Sequence, residues 1–223
     1  MAKENADLKK KAVAILGALK KEHPDARLFL DFDSPFQLLI VTILAAQARD
    51  EVINELRPVL FGRYPDASAL AKARDSALQA LVKRSGTFRR KAKSIKAVSK
   101  ELISKFGGEV PDNMDDLVNL PGVGRKTAAI VLGNAFGKPA IAVDTHVQRV
   151  SARLGLAITK KPDDIEKELC AIIERKRWTE ATKILGTHGR RICTARKPLC
   201  TLCPVSKWCH YYAENHSEGS LFP

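Results

Sequence analysis

Apolar and polar positions along this chain fall into a succession of helical segments with recognisable starts and stops. The N-terminal stretch MAKENADLKKKAVAILGALKKEHPDA has charges spaced through its apolar positions and predicts an amphipathic helix. SPFQLLIVTILAAQA (34–48) offers Ser34 as N-cap and Pro35 at the first helical position, and the almost wholly apolar run from Leu38 to Ala46 predicts a buried central helix. DASALAKARDSALQALVKRSG reads as one helix from an Asp cap to Gly86, and FRRKAKSIKAVSKELISKFGG as another that stops at Gly107 and Gly108. Further helices fit DNMDDLVNL, RKTAAIVLGNAFG, DTHVQRVSARLGL, PDDIEKELCAIIERK and TEATKILGTHGRRIC. The one strand-like run, PAIAV (139–143), is too short to build a sheet. The fold class that follows is all-α, and with no repeat, low-complexity tract or long linker any domain boundary lies at a short joint.

Charge adds the first hint of a partner. The 223 residues hold 38 Lys and Arg against 25 Asp and Glu, a formal net charge of +13, and a surplus of this size is a common footprint of nucleic-acid binding. The N-terminal helix lacks the uninterrupted apolar core of a signal peptide or spanning segment, which points to the cytoplasm and away from membranes. Four of the five cysteines crowd between Cys193 and Cys209. Without an export signal, such crowding suggests metal ligation rather than disulfides. Cys170, on an apolar face of its helix, reads as a buried core thiol.

LPGVGRKTAA (120–129) resembles a phosphate-binding loop at first sight. A Walker A loop requires Gly, four residues, then Gly-Lys-Ser/Thr after a buried strand. Here Asn119 stands at the first glycine's place, Arg125 follows Gly124, and polar DDLVN lies upstream. Gly122 and Gly124 suit instead a tight hairpin between two helices, with positive φ open to both, whose backbone can approach a nucleic-acid phosphate. Arg125 and Lys126 then stand at a helix start, where the dipole disfavours cations. Lys126 is either a nucleophilic amine or a phosphate contact, and the hairpin alone does not choose.

Taken together, LPGVGRKTA (120–128), AVDTHV (142–147) and the cysteine array resemble the endonuclease III family of helix-hairpin-helix DNA glycosylases over about residues 28–210. The resemblance implies that Lys126 attacks C1′ of a damaged nucleotide with Asp144 assisting, eighteen positions on. Such chemistry needs a carboxylate to stabilise oxocarbenium-like charge and an amine to form the imine that permits β-elimination. Asp144 also suits an N-cap. His146, on the same helix, is either a phosphate contact or a packed side chain.

Cys193, Cys200, Cys203 and Cys209 have six, two and five intervening residues. Four thiolates so spaced suit zinc or an iron-sulfur cluster; the resemblance implies a 4Fe-4S cluster of structural role. The loop TARKPL between the first two ligands would hold Arg196 and Lys197 toward a phosphate. By resemblance Gln47 enters the opened duplex, and the loop after Gly86 supplies a second wedge. Many family members have leucine after that glycine, whereas this chain has Thr87, followed by Phe88; Ala45 and Arg49 flank Gln47 where serine and threonine are common. The cationic stretch Lys83, Arg84, Arg89, Arg90, Lys91 and Lys93 is a DNA-contacting ridge or a solubilising face.

The resulting expectation is an all-α protein of two helical domains. Residues 28–138 form a six-helix barrel with the hairpin, and residues 1–27 with 139–223 carry the cluster, with a DNA-binding cleft between them. As a monomer in the cytoplasm, associated with the nucleoid, it would excise oxidised pyrimidines from double-stranded DNA and cleave the resulting abasic sites. The alternatives are a mismatch or adenine glycosylase of the same fold, or a non-catalytic redox-sensing iron-sulfur protein that binds DNA.

Overall fold

The computed structural model describes residues 2–216, and among these every regular element is helical. The chain divides into two compact units, residues 28–138 and residues 1–27 with 139–223. It passes through α1 (Ala2–Glu22) in the discontinuous unit, then α2 (Pro35–Ala45), α3 (Asp50–Arg63), α4 (Ala67–Ala71), α5 (Asp75–Leu81), α6 (Phe88–Phe106), α7 (Met114–Val118) and α8 (Arg125–Ala135) in the continuous one. It returns for α9 (Thr145–Arg153), α10 (Pro162–Ile172), α11 (Trp178–Arg191) and α12 (His210–His216).

The continuous unit is built around α2, which packs against α3, α6 and α8. All seven residues from Leu38 to Leu44 are buried, and each large aliphatic side chain among them contributes about 1.5–3 kcal/mol. The one hydroxyl in that run, Thr42, donates to the Leu38 carbonyl at 2.7 Å, so no polar group is stranded. Ser34 caps the helix by accepting from the Gln37 amide at 3.2 Å. The helix is shorter than the pattern predicts, because Ala46 leaves helical geometry and Gln47 takes φ 55°.

Two further differences have local causes. Residues 66–86 are three pieces, α4, α5 and a 3-10 turn at Lys83–Ser85, since a second start intervenes: Arg74 adopts extended backbone and Asp75 opens α5. Asp75 accepts there from Lys96 of α6 at 2.6 Å. α3, which the pattern leaves unassigned, tolerates Pro58 in its interior, a cost of about 3 kcal/mol. Burial of Ile53, Leu56, Leu60 and Phe61 offsets it.

In the discontinuous unit α11 packs on α9 and α1, with α10 beside α1, enclosing a core that includes Ile15, Leu19, Val147, Val150, Leu169, Ile184 and Leu185. Cys170 is half-buried against this core rather than inside it. PAIAV runs extended without pairing as a strand; its buried Ala140 and Ala142 amides donate to the Thr179 and Thr182 hydroxyls of α11 at 3.3 and 3.2 Å. Spacing of threonines by three along α11 thus substitutes for a neighbouring strand.

Candidate functional site

The hairpin joins α7 to α8. The Val123 amide donates to the Leu120 carbonyl at 3.1 Å, and Gly122 sits at φ 77°, a region costly for residues with a Cβ. A Cβ there would also stand 3.2 Å from Cβ of Ser94 on α6, so the hairpin is pressed against that helix. Gly124 does not use left-handed freedom; at φ −97° it is the N-cap of α8 and offers no capping side chain. A serine or aspartate would occupy the helix start with its own oxygen; glycine keeps it accessible to an outside anion. Arg125 and Lys126, on the first turn, are exposed.

Gln47 and Thr87 also belong to the continuous unit. They are exposed, and they are the two non-glycine residues among those described with positive φ, 55° and 39°. Thr87 is held from several sides. Its carbonyl accepts from the Arg90 and Lys91 amides at 3.1 and 3.2 Å, and the buried Lys91 ammonium donates to the Ser85 carbonyl. Burial, with Arg90 nearby, pushes the Lys91 pKa down. The expected cationic surface therefore loses Lys91, which lies beneath it, while Arg84 pairs with Glu55 at 2.6 Å. Phe88 is half-buried under the Arg89 guanidinium, 5.1 Å from its ring centroid.

In the discontinuous unit Asp144 caps α9, one carboxylate oxygen accepting from the His146 and Val147 amides at 2.9 and 2.7 Å. His146 is half-buried, 3.2 Å from the Arg149 guanidinium, and burial pushes its pKa down. α9 then reaches the cysteine array through two arginines that the sequence reading passes over. Arg149 donates to the Cys193 and Gly189 carbonyls at 3.0 and 2.7 Å. Arg153 donates to the Cys193 sulfur at 3.3 Å and to the Thr194 and Ala195 carbonyls at 2.8 and 3.0 Å. The loop so pinned leaves Arg196 and Lys197 exposed. Arginines at i and i+4 on one helix face are the available signal, but their targets are distant in sequence.

All four cysteines of the array line one hollow that is continuous with solvent, together with His188, Leu199 and Tyr211. They surround space rather than converging on a point; among the described residues no three His, Cys, Asp or Glu side chains are grouped as ligands of one ion. Burial raises the pKa of Cys200 and Cys209 and pushes Cys203 up to about 11, with the neighbouring thiols adding to each shift. Cysteine thiols become favourable thiolates when a positively charged centre sits among them, so this four-sulfur donor set fits an iron-sulfur group.

Comparison with known proteins gives two family matches, the HhH-GPD superfamily of base excision DNA repair proteins over residues 40–175 and the iron-sulfur binding domain of endonuclease III over residues 193–209. An endonuclease III from Synechocystis is 44% identical over 94% of this chain and 96% of its own length. The chain belongs to the endonuclease III family. Another member, from Rickettsia felis, is 42% identical over 89% of this chain and 93% of its own. A solved structure of a trapped endonuclease III–DNA covalent intermediate superposes with a TM-score of 0.89 at 38% identity, covering 92% and 97% of the two chains. As an endonuclease III family member, the protein is a DNA glycosylase and AP lyase of base excision repair that binds double-stranded DNA and carries a 4Fe-4S cluster. No helix among the described residues is long and apolar enough to cross a membrane.

Proposed function

We propose that the protein removes oxidised pyrimidines from duplex DNA with Lys126 as nucleophile and Asp144 as its electrostatic partner, acting on nucleoid DNA in the cytoplasm. The Lys126 amine attacks C1′ of the damaged nucleotide as the N-glycosidic bond breaks and the base leaves with its electron pair and a proton. Asp144 stabilises the positive charge that develops on the sugar. Opening of the sugar gives an imine, loss of a C2′ proton follows, and β-elimination expels the 3′ phosphate; water then returns the lysine.

The observation that carries this reading is the exposed Lys126 on the first turn of α8, behind a cap that leaves the helix start accessible. Asp144 supports it, because two amide hydrogen bonds fix its orientation. Gly122, Gly124 and Arg125 would hold backbone phosphate near the lysine, Gln47 and Thr87 would fill the space of the extruded nucleotide, and His146, Arg196 and Lys197 would add phosphate contacts. Residues 28–138 would thus form the hairpin-bearing barrel domain and the remainder the cluster domain. When bound to Cys193, Cys200, Cys203 and Cys209, the cluster supplies a cross-link among otherwise loop-like segments.

Duplex oligonucleotides carrying thymine glycol, and matched ones with G·T or A·G mispairs, test the reading. Strand cleavage at thymine glycol, at least ~10²-fold weaker in Asp144→Asn, is the expected result. Release of adenine or mispaired thymine without strand scission would replace it with the mismatch reading.

A further inference from the structure

The core beside the cluster site contains two histidines that the glycosylase chemistry does not use. His188 of α11 is 1% exposed, and His23, at the end of α1, is 3% exposed. Their rings lie 5.3 Å apart between centroids, tilted by 53°, with His23 Nε2 3.0 Å from His188 Nδ1. The other nitrogen of His188, Nε2, stands 3.6 Å from the Cys203 sulfur, an ordinary separation for a hydrogen bond to that larger atom. His188 thus bridges a second imidazole and a cluster ligand by direct contacts.

The direction of each bond follows from proton counting. A cysteine that ligates iron is a thiolate and has no proton to give. The hydrogen shared with Cys203 therefore belongs to His188, which places it on Nε2. A neutral imidazole with Nε2–H offers Nδ1 only as an acceptor, so the bond between the rings runs from His23 Nε2–H to His188 Nδ1. Two buried imidazoles cost far more desolvation than two leucines of similar volume unless each polar atom is matched.

We propose that His23 and His188 form a two-ring hydrogen-bond relay that aims one N–H at the Cys203 sulfur, raising the reduction potential of the bound cluster and strengthening retention of this ligand. His188 touches the ligand, and His23 is a positioning residue that locks its tautomer. A hydrogen bond withdraws electron density from the sulfur and so favours the more electron-rich, reduced state. The Arg153 guanidinium at Cys193, 3.3 Å from its sulfur, applies the same bias with a full charge. The relay does so without one, from the interior.

The test uses the holoprotein in resonance Raman and in a redox titration. In the wild type, long equilibration in D₂O should shift an Fe–S(Cys) stretching band. His188→Leu, with a full iron complement, should move the midpoint potential negative and diminish that deuterium shift, leaving the part contributed by the exchangeable Arg153 N–H at Cys193. His188→Gln, whose amide nitrogen stands where Nε2 stood, should remain near wild type, and His23→Leu should give a smaller negative move. An unchanged potential in both leucine variants would overturn the relay. If His188→Leu fails to hold iron, His23→Leu decides: an unchanged midpoint potential in that variant overturns the relay equally.

Discussion

Thr87 is a β-branched residue at φ 39° and ψ 34°, preceded by Gly86 and at the entrance of α6. Such a conformation costs of order 1–3 kcal/mol and persists only where neighbours enforce it; here the Ser85 and Thr87 carbonyls are both held by Lys91. Thr87→Gly should therefore stabilise the protein by about 1 kcal/mol in urea unfolding, while weakening excision if the side chain wedges the base stack. Unchanged or lower stability would show that the loop is not strained. The resemblance in the sequence singles out Gln47 and Thr87 by position. Their shared backbone strain was not legible there, because φ is imposed by closure of the surrounding turns. Lys91 was misread for a related reason: one and two residues from exposed Arg90 and Arg89, it is turned by about 100° and 200° around the helix axis to the buried side, which shows only once the face of the helix is known.

At the scale of elements, caps were the most readable feature. Ser34, Asp66 and Asp144, each legible as a cap, accept from an amide of the helix they open; Asn113 does the same for α7, where the pattern names no cap. The break between α4 and α5 and the existence of α3 were not readable, since both depend on burial that offsets poor local propensity. The crossing of α9 and α11 rests on Gly189, where a Cβ would stand 2.8 Å from Cβ of His146 and 3.1 Å from Cγ2 of Val150. Gly189→Ala should destabilise by about 1–3 kcal/mol. Gly186, on the same helix, has open space at its Cβ position, and its alanine variant should be neutral or up to about 1 kcal/mol more stable; equal effects at the two sites would contradict the close approach. Lys91 allows a pH test. Its folded pKa lies below the usual 10.5 because of burial, so just under that value the unfolded chain binds more protons. Stability relative to Lys91→Met should therefore rise with pH as it approaches 10.5, in paired urea titrations; a falling difference would contradict the buried ammonium.

For the whole molecule, the net charge of +13 makes affinity for undamaged duplex salt-dependent, with a log–log slope of about −0.9 per phosphate neutralised. Four to six such contacts would give a slope of roughly −4 to −5, and a slope near zero would remove the electrostatic part of the account. Composition made this partner legible. The cysteine spacing located the metal-binding segment but left zinc and an iron-sulfur cluster open, and the family match over residues 193–209 decided between them. The arginines and histidines that brace that segment come from α9, α11 and the residue just after α1, so only the folded chain reveals them. The central claim is the role of Lys126, and borohydride reduction during reaction with thymine-glycol or abasic duplex tests it most directly. Wild-type protein should yield a covalent protein–DNA adduct, stable to denaturing electrophoresis, and Lys126→Gln of the same fold and iron content should yield none. An equal adduct from Lys126→Gln, or none from the wild type, would contradict the mechanism.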